Sequence, residues 1–278
     1  MIPSDLLVSI VYYNSDPDLL GDTIRSLDVA AGNAKRSGVL KRVELVLVNN
    51  GVERKKLEDL FAKIRIGYHN IDDLSLISGH GNIGYGSGHN LAIQKHQLDY
   101  HLVLNPDVLI AEYSLVEAFV FFDRHPELGL LAPSVFDAEG NRLYLCKRFP
   151  TVLNLLLRGF APTWLKKMFS KSLEYYELRD LIREEIVWDI PIVSGCFMLF
   201  RTKILLEING FSPEFFLYFE DFDLSLRAAE ISRIAFVPSV KITHFGGHAS
   251  KKGWRHITMF LSSAILFFNR HGWRWFKM

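Results

Sequence analysis

Short apolar runs alternate with longer amphipathic ones along this chain. Leu6 to Tyr13 is an unbroken apolar, β-branched run closed by Asn14-Ser15-Asp16-Pro17, which predicts a buried strand, a helix cap and then helix over Asp18 to Ala34. Val43 to Val48 predicts a second strand, stopped at Asn49-Asn50-Gly51, with helix resuming through Lys55 to Lys63. A short strand at Leu74 to Ile77 enters a glycine-rich loop, Ser78 to Asn90, and helix follows through Leu91 to His96. His101 to Leu104 predicts a strand that runs into Asn105-Pro106-Asp107; helix over Glu112 to Arg124, strand over Leu128 to Phe136 and a hairpin turn at Asp137 to Asn141 come next. Residues 151 to 186 mix apolar and basic side chains as helices do, and Ile234 to Ile242 predicts a late strand.

Strands alternating with helices imply an α/β fold with a mainly parallel sheet, whose ligand groups gather at the carboxyl ends of the strands. Tyr13-Asn14, Asn49-Asn50, the glycine loop and Asn105 to Asp107 all fall at such ends. Further on, the run Phe215 to Phe219 delivers Glu220, Asp221 and Asp223 directly at the edge of apolar surface, in what reads as the first turn of a helix. Such a placement can prepare a carboxylate for proton transfer. It is equally the pattern of a solvated acidic helix start, and these residues alone leave the two readings level.

Composition narrows the class. At 278 residues, 49% hydrophobic and 23% charged, the chain can fill one large core and is not disordered. Net charge is only +1, yet Lys241 to Met278 and Arg142 to Lys171 each hold seven Lys and Arg residues and no acid, which points to an anionic partner such as phosphate or a membrane surface. No nucleic-acid partner is expected. Two cysteines, Cys146 and Cys196, suit a reducing, cytoplasmic setting and have no zinc-ligand spacing. No signal peptide is evident, and the run Ile257 to Phe268 falls short of the ~20 residues needed to span a bilayer. The ending Trp273-Arg274-Trp275-Phe276-Lys277 suits a membrane surface or an oligomer contact.

Glycines 79, 81, 84, 86 and 88 let the backbone approach a ligand, and the following helix start offers amide donors. Their spacing is not the dinucleotide fingerprint, and the loop lacks the basic residues of a triphosphate grip. The string Asn82 to Asn90 does resemble the Asn-x-Gly-Phe-Gly-x-Gly-x-Asn loop of glycosyltransferase family 2. Ser194 to Arg201, Asn209-Gly210-Phe211 and Tyr218 to Arg227 are similar to the second half of that family's rhamnosyltransferase-like branch, and the likeness covers most of residues 6 to 250.

The resemblance implies a GT-A-like fold over residues 1–250, with 251–278 as a C-terminal amphipathic helical extension. It implies an inverting glycosyltransferase moving a sugar, with rhamnose from dTDP-rhamnose the first choice, to a cell-surface saccharide or lipid-linked acceptor, working peripherally at the inner face of the cytoplasmic membrane. Asp221 falls on the family's base. Asn105-Pro106-Asp107 falls on its Asp-x-Asp motif, so Asp107 would hold Mg²⁺ or Mn²⁺, and His244, in a His-x-x-Gly-x-x-Ser string, would complete that site; His248 is a weaker candidate. Val11, Tyr13, Asn14 and Asn49 occupy the nucleobase and ribose positions, Asn82, Gly84, Tyr85 and Asn90 the donor loop, Asn105 the ribose or metal-bound water, Gly195 is a further substrate-binding position, and Glu220 with Asp223 would orient acceptor and helix. Lys251, Lys252 and Arg255 would add diphosphate donors, and Arg227 would steady the carboxylates. The family commonly has acids at 49 and 105; the asparagines there leave open a catalytically silent nucleotide-sugar-binding scaffold. The catalytic reading requires Asp107 and Asp221 to face one another across a single cleft.

Overall fold

The computed structural model describes residues 2–51, 58–59, 61–62, 67–95, 98–246 and 253–276. Most of the helix expected at 55–63, together with His96, His248, Lys251 and Lys252, lies outside them. Strands are β1 (Ser4–Tyr12), β2 (Leu40–Asn49), β3 (Asp73–Ile77), β4 (Tyr100–Leu104), β5 (Val108–Ile110), β6 (Leu128–Phe136), β7 (Arg142–Leu143), β8 (Val187–Trp188), β9 (Phe197–Arg201) and β10 (Arg233–His244). Helices are α1 (Pro17–Arg36), α2 (Tyr85–Lys95), α3 (Ser114–Arg124), α4 (Val152–Phe160), α5 (Thr163–Met168), α6 (Ser170–Tyr176), α7 (Thr202–Glu207), α8 (Glu220–Ile231) and α9 (Trp254–His271).

Local chemistry sets the first of these elements. The Asp16 carboxylate accepts from the Asp18 amide, Pro17 opens α1 and Lys35 and Arg36 close it, each matched to the free groups and dipole at that end. A stripe of Leu20, Ile24, Leu27, Ala31 and Ala34 then packs on the sheet. Strand side chains split by period two: Leu6, Val8, Ile10 and Tyr12 of β1 face α1, while Leu7 and Val11 face the side that carries α2.

The sheet order is β3-β2-β1-β4-β9-β6-β10-β5. β3, β2, β1 and β4 run parallel, as the alternation predicts; β9 then inserts antiparallel between β4 and β6, and β10 runs parallel to β6. Helices α1 and α3 cover one face, while Ile93, Ile204, Leu205, Leu224 and Ala228 bring α2, α7 and α8 to the other. The carboxyl ends of β1, β2, β3 and β4 share one edge, and the loop before α8 folds over it: the Tyr85 amide donates to the Phe216 carbonyl at 3.1 Å.

The C-terminal helix is built into the body. Phe267, Phe268 and Ala264 of α9 pack with Leu155 of α4 and with Phe215 and Phe219, each buried ring contributing about 1.5–3 kcal/mol. Asp223, fully buried, accepts from Arg227 at 2.8 Å and from Arg270 and His271 of α9, both at 2.9 Å. Among the described residues no helix is long and apolar enough to cross a membrane.

Candidate active site

Two clefts adjoin at the carboxyl edge of the sheet. The first, about 420 Å³, is lined by Val11, Tyr13, Asn82, Gly84, Tyr85, Asn105 and Asp107, and also by Ser15, Asn50, Phe216, Leu217, Arg255, His256 and Met259. The second, about 470 Å³, runs between α4 and α9 and ends at Glu220 and Asp221. His256 lines both, so the two carboxylates expected to share one cleft line two neighbouring ones.

Tyr85 of the first cleft is linked through Gly195 to the acid of the second. Its hydroxyl lies 3.0 Å from Asn105 Oδ1 and 2.6 Å from the Gly195 carbonyl, and the Gly195 amide donates to Asp221 Oδ2 at 2.8 Å. Burial, and then the charges of Glu220, Asp221 and Asp107 together with the Cys196 thiol, push its phenol well above the ordinary range, so it stays a donor. Gly195 therefore touches the site through its backbone: a Cβ there would meet Tyr85 at 3.3 Å and Asp221 Cβ at 3.4 Å.

The acid pair is set at the start of α8 by a strained turn. Tyr218 (φ 70°) and Phe219 (φ 64°) are consecutive non-glycine residues in the left-handed region, a cost of roughly 1–3 kcal/mol each that persists only where packing enforces it. Here the Phe219 ring is held by Phe222, Phe260 and Phe267, with centroids 5.2 Å away in each case. Burial, with the neighbouring Asp221 charge, lifts the Glu220 carboxyl to about 8, and burial lifts Asp221 to about 6 against the amides of Gly195 and Phe222. The pair thus holds a proton well above the ordinary carboxylate range, with Glu220 the more strongly protonated. Glu220 Oε2 is buried with no hydrogen-bond partner, whereas Asp221 reaches the cleft with both oxygens oriented by backbone amides.

Asp107 and His244 meet at the edge of the first cleft, Oδ1 to Nε2 at 3.4 Å. β10 ends there beside β5, and the Phe245 amide donates to the Asp107 carbonyl. Asp107 Oδ1 is buried without a hydrogen-bond partner, and a Cβ on Gly246 would stand 2.5 Å from His244 Nε2 and 2.7 Å from Asp107 Oδ2. A gap kept open by glycine between a carboxylate and an imidazole fits a divalent cation. Among the described residues no group of three or more His, Cys, Asp or Glu converges, so ligand oxygens and water would complete such a shell.

Other expected positions fall elsewhere. Asn90 spends its carboxamide on Phe211, donating to the carbonyl at 2.8 Å and accepting from the amide at 2.9 Å, and so clamps α2 to the Asn209-Gly210-Phe211 turn. Asn49 is buried, its side chain accepting from the Gly51 amide; Asn50, one residue on, faces the first cleft, bonded to the Gly84 carbonyl and His80. Asn14 is exposed at φ 50° beside the cleft-lining Tyr13 and Ser15. Arg227 serves Asp223 and the carbonyls of Ile208 and Gly210, not the acid pair. Asn50 was visible in the Asn49-Asn50 pair. Phe216 of the first cleft, Tyr176 of the second and His256, which lines both, carry no local motif and reach the site only through the packing of α6, α9 and the 215–219 loop.

No family model matches the chain. It is 25% identical over 221 residues to the N-acetylglucosaminyl-diphospho-decaprenol L-rhamnosyltransferase of Mycobacterium tuberculosis, covering 72% of this chain and 69% of that one. It is 26% identical over 191 residues to the rhamnosyltransferase WbbL of Escherichia coli K12, covering 64% and 66%. Among solved structures, GalNAc-T7 with UDP, GalNAc and Mn²⁺ superposes with a TM-score of 0.66 at 12% identity over 96% of this chain, which spans about half (48%) of that one. The mannosyltransferase PcManGT of Pyrobaculum calidifontis, in complex with GDP-Man and Mn²⁺, gives 0.60 at 16% identity, covering 95% of this chain and 65% of its own. These superpositions establish the GT-A fold. In sequence the chain is thus similar to rhamnosyltransferases, and in fold to GT-A glycosyltransferases.

Proposed function

We propose that the chain is an inverting glycosyltransferase in which the first cleft takes the nucleotide-diphosphate sugar and the second takes the acceptor hydroxyl. The observation that carries this reading is a chain of contacts from one cleft to the other: Tyr85 of the first cleft touches Asn105 and the Gly195 carbonyl, and the Gly195 amide aims Asp221 of the second. Asp221 takes the acceptor proton as that oxygen attacks the anomeric carbon from the face opposite the leaving diphosphate, with oxocarbenium character developing at the ring. Glu220, protonated at neutral pH, keeps a second negative charge away from the reacting centre. Asp107 and His244 would hold Mg²⁺ or Mn²⁺, which when bound neutralises charge on the departing diphosphate; Arg255 lines the same cleft and would add a further cation.

The names of the curated relatives favour rhamnose as the sugar and a lipid-linked saccharide as acceptor. Work at a membrane surface agrees with Trp254, Trp275 and Phe276, 82%, 58% and 70% exposed among Arg255 and Arg274. Asp221→Asn preserves shape and removes the base. In a transfer assay with dTDP-rhamnose and Mn²⁺ its turnover is expected to fall by about 10³-fold or more, while donor affinity stays within about twofold. Turnover near wild type would remove Asp221 from the role. A wild-type chain that binds the donor yet neither hydrolyses nor transfers it would instead be a silent scaffold.

A further inference from the structure

Arg142 to Lys171 and Lys241 to Met278, the two stretches rich in Lys and Arg and free of acid, meet at a third cavity of about 570 Å³. Residues from 148–154 line one part of it and residues 273–276 another, and among the described residues no Asp or Glu lines it. Arg148 is matched, since both its terminal nitrogens sit 2.7 Å from the Asp180 carboxylate. Arg274 is not. Among the described residues no carboxylate stands within ion-pair distance of it, and its guanidinium lies 4.1 Å from the centroid of the Phe149 ring. The lining therefore carries one uncompensated positive charge.

The tail that holds Arg274 is fixed in place. Gly272, at φ 96°, turns the chain out of α9, and the carbonyls of Arg274 and Trp275 then accept from the Val152 and Leu153 amides at 2.8 and 3.3 Å. Those amides belong to the first turn of α4, where the helix itself supplies no acceptor. Phe268, Trp273 and Trp275 stack in succession, with centroids 5.1 and 5.4 Å apart and planes 24° and 22° from parallel. Trp275 ends this stack, and it lines the cavity while staying exposed. Asn154 and Ser172 add polar groups to the lining: Asn154 donates to Ser172 Oγ at 3.1 Å, which leaves the Ser172 hydroxyl proton for a ligand.

A hydrocarbon tail in this cavity would leave the hydroxyl and the guanidinium without partners, and a bare phosphate would leave the indole uncovered. A sugar ring offers an apolar C–H face to an indole and a rim of oxygens to the donors, and an acidic substituent answers the fork of a guanidinium. We propose that the third cavity is a saccharide subsite selective for an acidic sugar, one that carries a carboxylate or a phosphate. The sugar ring lies on the Trp275 indole, its acidic group on Arg274 and a ring oxygen or hydroxyl on Ser172. The volume falls in the range of small-ligand sites. Tyr176 lines both this cavity and the second cleft. Its role, which rests on the glycosyl-transfer reading, is to hold a sugar of the acceptor glycan beyond the one that is glycosylated.

A hyaluronan tetrasaccharide, which carries carboxylates, and glucose 6-phosphate are the two acidic probes, with chitotetraose as the neutral saccharide and inorganic phosphate as the bare anion. Tryptophan fluorescence and calorimetry on the full chain follow the binding. The acidic sugar of the kind that the site takes is expected to bind at least about tenfold more tightly than chitotetraose or inorganic phosphate, because ring and charge both contribute. Its affinity should fall as salt rises. Arg274→Gln should lose about tenfold of that affinity and Trp275→Ala several-fold, with dTDP affinity unchanged in both. Chitotetraose binding as tightly as the acidic sugars, or an Arg274→Gln variant that binds like wild type, would overturn the assignment. So would the absence of saccharide binding in a chain that phosphatidylglycerol vesicles capture through Arg274. Salt dependence is read on the wild-type chain, so a variant that fails to fold leaves the test standing. Because binding needs no turnover, a chain that binds the acidic sugar and never transfers would sink the transfer reading alone. Sugar transfer by a chain that binds none of the probes would sink this one alone.

Discussion

A single methyl group at position 246 tests the cation cradle. Gly246 has no left-handed backbone, so alanine adds no strain there, but its Cβ would stand 2.5 Å from His244 Nε2 and 2.7 Å from Asp107 Oδ2 and fill the space between them. Gly246→Ala is therefore expected to leave thermal stability nearly unchanged and to weaken the Mn²⁺-dependent part of donor binding on the order of tenfold, about 1.4 kcal/mol. Donor titrations with Mn²⁺ and with EDTA separate the two parts; an unchanged Mn²⁺ dependence would count against coordination by this pair. The family loops pointed to Asp107, Tyr85 and Asp221, and these do line the two clefts. Asn49 and Asn90, named by the same loops, do not line the first cleft and bond to the Gly51 amide and to Phe211, because a motif names positions and not side-chain directions. In β2 the direction alternates with each residue, so the cleft receives Asn50 and Asn49 is turned into the strand end.

Among the elements, the bond between α8 and α9 decides whether the second cleft has a wall. Burial works to raise the Asp223 carboxyl, but the charge of Arg227 and the hydrogen bonds of His271, Arg270 and Arg227 outweigh it and hold the group below the usual carboxylate range. Asp223→Ala would leave two guanidinium groups facing an empty, dry site, at an expected cost of about 3–5 kcal/mol. By contrast Arg25→Ala breaks only the exposed Arg25–Asp22 pair, side chains 71% and 50% exposed, and should cost less than about 1 kcal/mol. Thermal melts of the two variants check the contrast, and similar shifts would show that Asp223 is not the pin of α9. Periodicity made β1, α1, β2, β3, β4 and α3 legible because each buries one face by its own local pattern. It could not show β9 lying between β4 and β6, since Tyr100 pairs with Arg201 across a hundred residues and no local signal sets that choice. Short β5, β7 and β8, two or three residues each, fall below any period.

For the molecule as a whole, the buried acid pair Glu220 and Asp221, to which the proposed chemistry is assigned, works against the fold. In the unfolded chain both carboxyls titrate near about 4; in the folded chain burial raises Asp221 to about 6 and Glu220 to about 8. Between those ranges the native state binds more protons than the unfolded one, so the unfolding free energy contributed by the pair falls as pH rises from about 4 to about 8, and is level above that. Asp223 has the opposite sign: its stabilisation is complete above about 4 and is lost only as pH falls through its lowered value. Glu220→Gln copies the protonated acid in shape and removes the higher titration. Its advantage over wild type in urea unfolding should therefore be small at pH 4.5 and should grow to a few kcal/mol by pH 8.5, since each tenfold difference in proton affinity between the folded and unfolded chain is worth about 1.4 kcal/mol. Transfer activity at neutral pH should stay within several-fold, since Asp221 keeps its two backbone donors. A stability difference that did not change with pH would mean that Glu220 carries no extra proton in the folded chain, and the low-charge environment argued for Asp221 would go with it. A rising advantage would instead show stability given up at one buried pair to keep a base poised near neutral pH.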